Sequence, residues 1–398
     1  MTQPLSASSS AESLSSAPPT AAVAQRGERL VAGAMSGTSG DGVDVAVVAI
    51  AGSGIDIQVR LLRHHHVPFS ADLRRRLNAI RQTGSANLGD LAQVGREISL
   101  CYATGVIEAL ASLRLSGADI LCVAAHGQTL HHQPPNTVQW LDPALIAVEA
   151  GCAVVSDFRR ADCAVGGQGA PLVPFADYAL FRHPVSLRAM VNIGGIANVT
   201  ILRPGCTLSE VIAFDTGPGN CISDYLMRRH DPNGVGYDAG GKMATAGLPD
   251  TGTAERMLAE PYFRSPPPKS TDAPQMLSAW ERADAHAATR PLPDLLATAC
   301  YVTASAILDA LHRLLGRLPD ELVVSGGGSR NASIMGFLRA TPGLVVRTTD
   351  DYGLPAEAKE AVAFAILATA TIDGVPGNVP SVTGARRQVL LGSITPRP

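Results

Sequence analysis

Short apolar runs in this chain repeatedly end at turns dominated by glycine and small polar residues, and this pattern narrows the folds open to it. Leu30 to Ala34 leads into Met35-Ser36-Gly37-Thr38-Ser39-Gly40-Asp41-Gly42-Val43-Asp44, after which Val45 to Ile50 resumes. Asp119 to Ala125 stops at His126-Gly127-Gln128-Thr129, and Arg188 to Ile193 stops at Gly194-Gly195 before Ile196 to Leu202. Val211 to Phe214 stops at Asp215-Thr216-Gly217-Pro218-Gly219-Asn220, and Glu321 to Ser325 stops at Gly326-Gly327-Gly328. Short apolar runs bounded by such turns read as strands. Between them lie segments with helical spacing of apolar residues: 70–116, Ala144 to Ala150, the stretch from Cys221, 293–315, the stretch from Asn331, and Ala356 to Thr371. Strands interleaved with helices, and polar motifs at strand ends, predict an α/β protein that binds ligands where its strands stop.

A chain of 398 residues is too long for one ordinary core. It is expected to form two mixed α/β lobes with a cleft between them. Residues 1–28, rich in Ala, Ser and Pro, read as a flexible tail or as the product of a start site placed too early. The first lobe is expected over 29–165 and the second over 166–380, with 381–398 packing back near the first. The Gly-rich stretch Ala164 to Pro174 is the candidate junction.

A formal net charge of −3 excludes a polycation built to neutralise nucleic-acid phosphates. The Arg74-Arg75-Arg76 run reads as the solvated face of a helix. Seven cysteines with no CxxC pair argue against a disulfide scaffold or structural zinc, and fit a reducing, cytoplasmic location. No apolar run approaches the roughly 20 residues of a membrane helix, so no membrane partner is expected.

Glycine turns let backbone N–H groups close around phosphate oxygens. In the first turn Ser36, Thr38 and Ser39 can donate hydrogen bonds, while Asp41 and Asp44 make sense near a nucleotide if magnesium or its water shell intervenes. Taken alone, this stretch reads as well as a tight hairpin with Asx turns. Gly194-Gly195 and Gly326-Gly327-Gly328 are further candidates, each weak by itself. There is no GxxxxGK[ST] sequence at the first turn, so it is not a P-loop. Asp215, at a strand terminus, is the candidate general base, with capping of its own turn as the alternative. His126 and Gln128 suit sugar hydroxyls, or His126 is a satisfied structural histidine. Asp157 is placed like Asp215. Lys269, after three prolines, can approach an anionic substrate or sit in an exposed loop. Glu357 and Glu360 are expected one helical turn apart, facing the cleft or solvent. His64-His65-His66 reads as an exposed segment without a carboxylate partner.

These motifs together resemble the anhydro-N-acetylmuramic acid kinase family from about Leu30 to Pro396. The resemblance also rests on Asp157-Phe158-Arg159-Arg160-Ala161-Asp162, Gly166-Gly167-Gln168-Gly169-Ala170-Pro171-Leu172-Val173-Pro174, Asn192-Ile193-Gly194-Gly195-Ile196-Ala197-Asn198, Pro268-Lys269-Ser270-Thr271 and Gly326-Gly327-Gly328-Ser329-Arg330-Asn331. It implies a two-lobed actin-like (hexokinase/Hsp70/actin) fold with ATP in the central cleft. Ser36, Gly37, Thr38, Ser39, Gly40, Asp41, Gly42, Val43 and Asp44 would form the first phosphate loop. Gly194 and Gly195 would form the second phosphate-side hairpin, and Gly326, Gly327 and Gly328 would approach adenosine. His126, Gln128, Asp157, Arg159, Gln168, Lys269 and Glu360 become sugar or active-site candidates, and the catalytic aspartate maps onto Asp215. The implied substrates are 1,6-anhydro-N-acetylmuramic acid, ATP and water, with Mg2+, in cytoplasmic recycling of cell-wall sugar; a homodimer is compatible. The alternative is an actin-like or chaperone-type ATPase without sugar kinase activity. Gly40 stands where the family often has leucine, which is expected to loosen the loop. Asp272-Ala273-Pro274 replaces a common Gly-Arg-Glu and bears on local substrate contacts.

Overall fold

The computed structural model describes residues 25, 27–37, 40–284 and 289–398. Thr38 and Ser39 of the first turn, and most of the 1–28 tail, lie outside the described residues. The strands are β1 Arg29–Met35, β2 Gly42–Ser53, β3 Asp56–Pro68, β4 Cys122–Ala125, β5 Gln128–Gln133, β6 Asn136–Trp140, β7 Val154–Ser156, β8 Arg188–Ile193, β9 Ile196–Leu202, β10 Ile212–Pro218, β11 Glu321–Ser325, β12 Val345–Thr348 and β13 Ser393–Thr395. One sheet has the order β13-β7-β4-β1-β2-β3 and the second β10-β9-β8-β11-β12, while β5 and β6 pair as a separate hairpin.

The two large sheets share a plan. In each, three consecutive strands form an antiparallel meander (β1-β2-β3 and β8-β9-β10), and two more strands join the first of them in parallel (β4 then β7, and β11 then β12). Both sheets are covered on both faces, which is why their inner strands read as continuous apolar runs rather than alternating ones. In β2, Val45, Val47 and Ala49 pack outward with Leu73, Leu77, Ile98 and Tyr102 from the helices Ala71–Thr83 and Leu88–Ser112. Ala46, Val48 and Ile50 pack the other way, in a core shared with the helices Val173–Phe181 and Lys359–Ile372. Met190, Leu202 and Val323 of the second sheet enter that same core. The opposite face of the second sheet buries Val191, Ile193, Val199 and Ile201 against Trp280, Leu296, Ile307 and Leu311. Two sheets of one plan, with helices wedged between them, are the two-lobed actin-like arrangement. Antiparallel pairing of β13 with β7 returns the C-terminal segment to the first sheet.

Several elements escaped the sequence reading. β3 is an edge strand with mixed exposure, β5–β6 is a hairpin where only a connection was expected, and the helix Val173–Phe181 follows the Gly-rich stretch directly. Helix Leu292–Leu315 is long and apolar enough to cross a membrane by length and composition, contrary to the reading that no run comes near; 72% of its apolar window is buried inside the protein. Glu357 precedes the helix that Lys359 begins, and pairs with Arg330 instead of sharing a helical face with Glu360. All seven cysteines are free.

Candidate active site

Alternation along the second sheet gathers its polar side chains on one face. If Val191, Ile193, Val199 and Ile201 point into the outer core, then Asn192, Asn198 and Thr200 must point toward the interlobe space. The register lines them up: Asp215 of β10 lies opposite Asn198 of β9, Asn198 opposite Asn192 of β8, and Asn192 opposite Ser325 of β11. Asp215, Asn198 and Asn192 of this row form one wall of an interlobe cavity of about 720 Å3, while Ser325 is buried behind it. Asp215, Arg159, Gln168, Lys269 and Glu360 line it together with Asn192, Asn198, Thr200 and Lys359.

Asp215 sits at a β-bulge, where the β9–β10 register shifts between Asp215 and Gly217. Bulges re-aim a side chain at the end of regular pairing. The loop carrying Lys269 then grips it. The Asp215 N–H donates to the Lys269 carbonyl (3.1 Å), and the Thr271 N–H donates to Asp215 Oδ2 (3.0 Å). Tyr262 OH donates to the Asp215 carbonyl at 2.7 Å. Burial pushes the Asp215 carboxyl above its ordinary range, and the Thr271 N–H pulls the other way. The Lys269 ammonium donates to the Tyr262 carbonyl (3.1 Å) and lies 4.7 Å from the Tyr262 ring centroid; burial lowers its pKa. The departure at Asp272-Ala273-Pro274 is absorbed by capping. Asp272 accepts from the Gln275 N–H (2.9 Å) at the start of helix Ala273–Ala283, next to the gripping Thr271.

Arg159 also lines the cavity. Asp157 has a left-handed backbone (φ 62°), after which Phe158 enters the core and Arg159 reaches the cavity. Arg159 Nε donates to His126 Nε2 (3.0 Å), and its Nη1 donates to the Gly169 carbonyl (2.7 Å). His126 is buried, packs tilted with its ring centroid 4.4 Å from that of Phe364, and directs Nδ1 to the Gly127 carbonyl at 2.9 Å. Burial, then the Arg159 charge, holds this imidazole well below its usual pKa, so it stays neutral and can accept from Arg159. Burial brings Arg159 down to about 10, leaving it charged at neutral pH. Burial raises the Glu360 carboxyl, with Lys359 and Arg159 opposing.

Three of the seven sugar-side candidates do not line the cavity, and neither do the described candidates of the first turn and the glycine turns. His126 stands behind Arg159. Gln128 is fully buried, where its Oε1 accepts from Ser36 Oγ (2.6 Å) and its Nε2 donates to the Gly37 carbonyl (3.2 Å), so it braces the first turn. Asp157 turns its carboxylate to Arg160 Nε at 2.8 Å.

The glycine turns divide by what surrounds them. No atom lies within 4 Å of a Cβ placed on Gly195, and only the Ile196 carbonyl (3.7 Å) approaches one on Gly194, so this hairpin faces open space. The turn is fastened from behind, the Gly219 and Asn220 N–H groups donating to the Gly195 and Gly194 carbonyls at 2.9 and 2.8 Å. Gly326 and Gly328 answer to packing: Cβ atoms there would lie 2.6 Å from Asn192 Oδ1 and 2.2 Å from Ile193 Cγ2. Gly327 between them meets only Asn220 Nδ2, at 3.9 Å. In the first turn Gly40 has φ 60°, and its N–H donates to the Gly37 carbonyl at 3.1 Å. A leucine there would occupy left-handed backbone, so glycine relieves strain at this position. Val43 is buried in the first-lobe core. Asp44 Oδ1 lies 3.0 Å from His64 Nε2 and 3.1 Å from His66 Nδ1, and His65 Nε2 lies 2.8 Å from Glu108. The histidine run therefore does have carboxylate partners, supplied by strand pairing that the sequence did not reveal. Asn198 and Asn192 stood within a quoted motif, but Lys359, Asp177 and Thr200 carried no local signal.

Paired lobes, a polar interlobe cavity and glycine turns at strand ends define a protein of the two-lobed sugar kinase class. The sequence pattern of the anhydro-N-acetylmuramic acid kinase family matches residues 29–397. The chain belongs to the anhydro-N-acetylmuramic acid kinase family. Relatives of that name include one from Gloeobacter violaceus, 41% identical with 92% of this chain and 98% of the relative covered. Another, from Pasteurella multocida, is 39% identical over 92% of this chain and 96% of its own. Among solved structures, the chain is similar to component A of the Acidaminococcus fermentans (R)-2-hydroxyglutaryl-CoA dehydratase, at TM-score 0.43 and 12% identity, covering 87% of this chain and 99% of that one. It is also similar to a Streptomyces griseus ROK family glucokinase in complex with glucose and AMPPNP, at TM-score 0.36 and 13% identity, covering 85% of this chain and 98% of that one.

Proposed function

We propose that the chain couples hydrolytic opening of 1,6-anhydro-N-acetylmuramic acid to phosphorylation at oxygen 6, using ATP and water and giving N-acetylmuramic acid 6-phosphate and ADP. The observation that carries this reading is the clamped, partly desolvated Asp215 at the end of the Asn198-Asn192 row, inside a cavity of about 720 Å3, in a chain of this family. Asp215 takes a proton from water as the water oxygen bonds to sugar carbon 1. The bond from carbon 1 to the bridging oxygen breaks, and that oxygen attacks the γ-phosphorus, releasing ADP. A carboxylate whose pKa is raised by burial is a stronger base than an exposed one, and its three backbone-linked contacts hold it without reorganisation. The neutral His126 and the Gly169 carbonyl aim Arg159 at the sugar, beside Gln168, Lys269 and Glu360.

On the nucleotide side, the open Gly194-Gly195 hairpin and Gly327 leave room for close backbone approach, with Ser36 and the first turn braced by Gln128. The residues there fit magnesium. Asp41 and Asp44 would supply its one or two protein carboxylates, with phosphates and water filling the other positions; Asp44 Oδ1 lies 3.0 Å from His64 Nε2 and 3.1 Å from His66 Nδ1, so its part would run through water. Bound there, the ion would neutralise charge on the transferring phosphoryl group. The reading extends to recycling of cell-wall sugar in the cytoplasm and allows a homodimer. A chaperone-type ATPase is not favoured, because the interlobe space is lined by side chains suited to a polar small molecule.

The test is product analysis of the purified chain with the anhydro sugar and ATP. One ADP should form per sugar, whose mass should rise by one water and one phosphoryl group. ADP release without a phosphorylated sugar would reject the reading.

A further inference from the structure

The cavity is lined by a lysine that the reaction above does not use. Lys359 is only 5% exposed, at the first position of the interlobe helix Lys359–Ile372. Its ammonium lies 2.9 Å from Asp177 Oδ1, on the helix Val173–Phe181, and donates to Ser325 Oγ at 3.3 Å. Asp177 is 3% exposed, and its Oδ2 accepts from Thr200 Oγ1 of β9 at 3.0 Å. Ser325 Oγ in turn lies 3.2 Å from the Val191 carbonyl and 3.4 Å from Asn192 Oδ1. One buried pair therefore touches two helices and two strands of the second sheet.

Its location gives it a role beyond cohesion. Ser325 is the far end of the polar row whose near end is Asp215. The residue after Lys359 is Glu360, the carboxylate brought to the cavity by the interlobe helix. Asp215 and Glu360 thus reach the cavity from the second sheet and from the interlobe helix, and the Lys359–Asp177 pair, through its hydrogen bonds to Ser325 and Thr200, ties that helix to that sheet. A buried ion pair adds little net stability compared with apolar side chains of similar size, because desolvation offsets the attraction. Apolar packing does not fix rotation or sliding of a helix start as directional bonds do. We propose that Lys359 and Asp177 are positioning residues: they clamp the first turn of the interlobe helix to the polar row and so set where Glu360 stands relative to Asp215. This rests on the proposed reaction for its kinetic consequence, but not for its structural one.

The test uses Lys359→Met and the double variant Lys359→Met/Asp177→Asn in the full chain. The single variant leaves a buried carboxylate uncompensated and should lower the melting temperature. The double variant removes both charges, keeps an oxygen for Thr200, and should melt close to the parent. Its kcat should nevertheless fall about tenfold to a hundredfold, the usual consequence of misplacing a substrate-positioning group by about an ångström, with the KM for ATP little changed. A crystal structure of the double variant should show Glu360 displaced or in several positions. Recovery of kcat together with melting temperature, or an unmoved Glu360, would overturn the proposal and leave the pair a purely structural contact. If the parent chain does not act on the anhydro sugar, the function reading falls by itself. The position of Glu360 in the double variant still decides the clamp.

Discussion

Replacing Asp215 with asparagine separates chemistry from architecture. The bonds that hold residue 215 do not need its charge. Its N–H still reaches the Lys269 carbonyl, its carbonyl still accepts from Tyr262, and an amide oxygen can accept from the Thr271 N–H as Oδ2 does at 3.0 Å. The cavity wall should therefore survive while the proton acceptor is lost. Removal of a general base costs about 10² to 10⁴ in rate, which at about 1.36 kcal/mol per tenfold is about 2.7 to 5.4 kcal/mol on the barrier. Stability should move the other way. Burial raises the folded-state pKa of Asp215, so this group favours the fold while protonated and loses that contribution as pH rises through its folded pKa. Asp215→Asn escapes the loss, so its advantage over the parent should be larger at pH 7 than near pH 4. The assay is steady-state turnover with ATP-binding titration and thermal melts at both pH values. Turnover within tenfold of the parent would refute the base assignment, and collapse of ATP binding would show that residue 215 holds the architecture instead.

Other outcomes follow from the same geometry. Gly328→Ala puts a Cβ 2.2 Å from Ile193 Cγ2 and should cost about 1–3 kcal/mol in denaturant unfolding. Gly195→Ala meets no neighbour, so its unfolding free energy should stay within about 0.5 kcal/mol while the KM for ATP rises. His126→Phe keeps a ring against Phe364 but leaves Arg159 Nε without its acceptor. A lost partner of this kind is worth about 1–3 kcal/mol, so the KM for the sugar should climb while that for ATP holds, as initial-rate kinetics would show. The acid limb of the kcat/KM profile should lie above the ordinary aspartate pKa of about 3.9, because burial raises Asp215 and only its ionised form accepts a proton. In Asp215→Asn that limb should disappear from any residual activity.

The sequence revealed elements wherever apolar runs met glycine. Glu321–Ser325 and Val345–Thr348 appear where their residues indicated, and β8 to β10 follow their apolar runs closely. It did not reveal β3, because an edge strand buries only part of each face and its histidines and arginines interrupt the apolar pattern. The helix Val173–Phe181 was hidden for the opposite reason: it is buried nearly all round and has no polar face to give it a period. For the cavity lining, Asp215 was legible from its place after an apolar run, and Arg159 from the family motif alone. For His126 the alternative of a satisfied structural histidine is the one the fold adopts, while the bracing role of Gln128 was not legible, since their shared motif suggested ligand contact and the folded chain spends Gln128 on Ser36 and Gly37. Lys359 and Asp177 are far apart in sequence, and only the packing of two interlobe helices makes them partners.

The coupled chemistry is tested most directly by running the reaction in oxygen-18 water and locating the label in the sugar product. Attack of water at carbon 1 predicts one heavy oxygen on the anomeric carbon and none in the phosphoryl group or at oxygen 6. A phosphorylated sugar with its anhydro ring intact, or with no label at the anomeric position, would contradict the account.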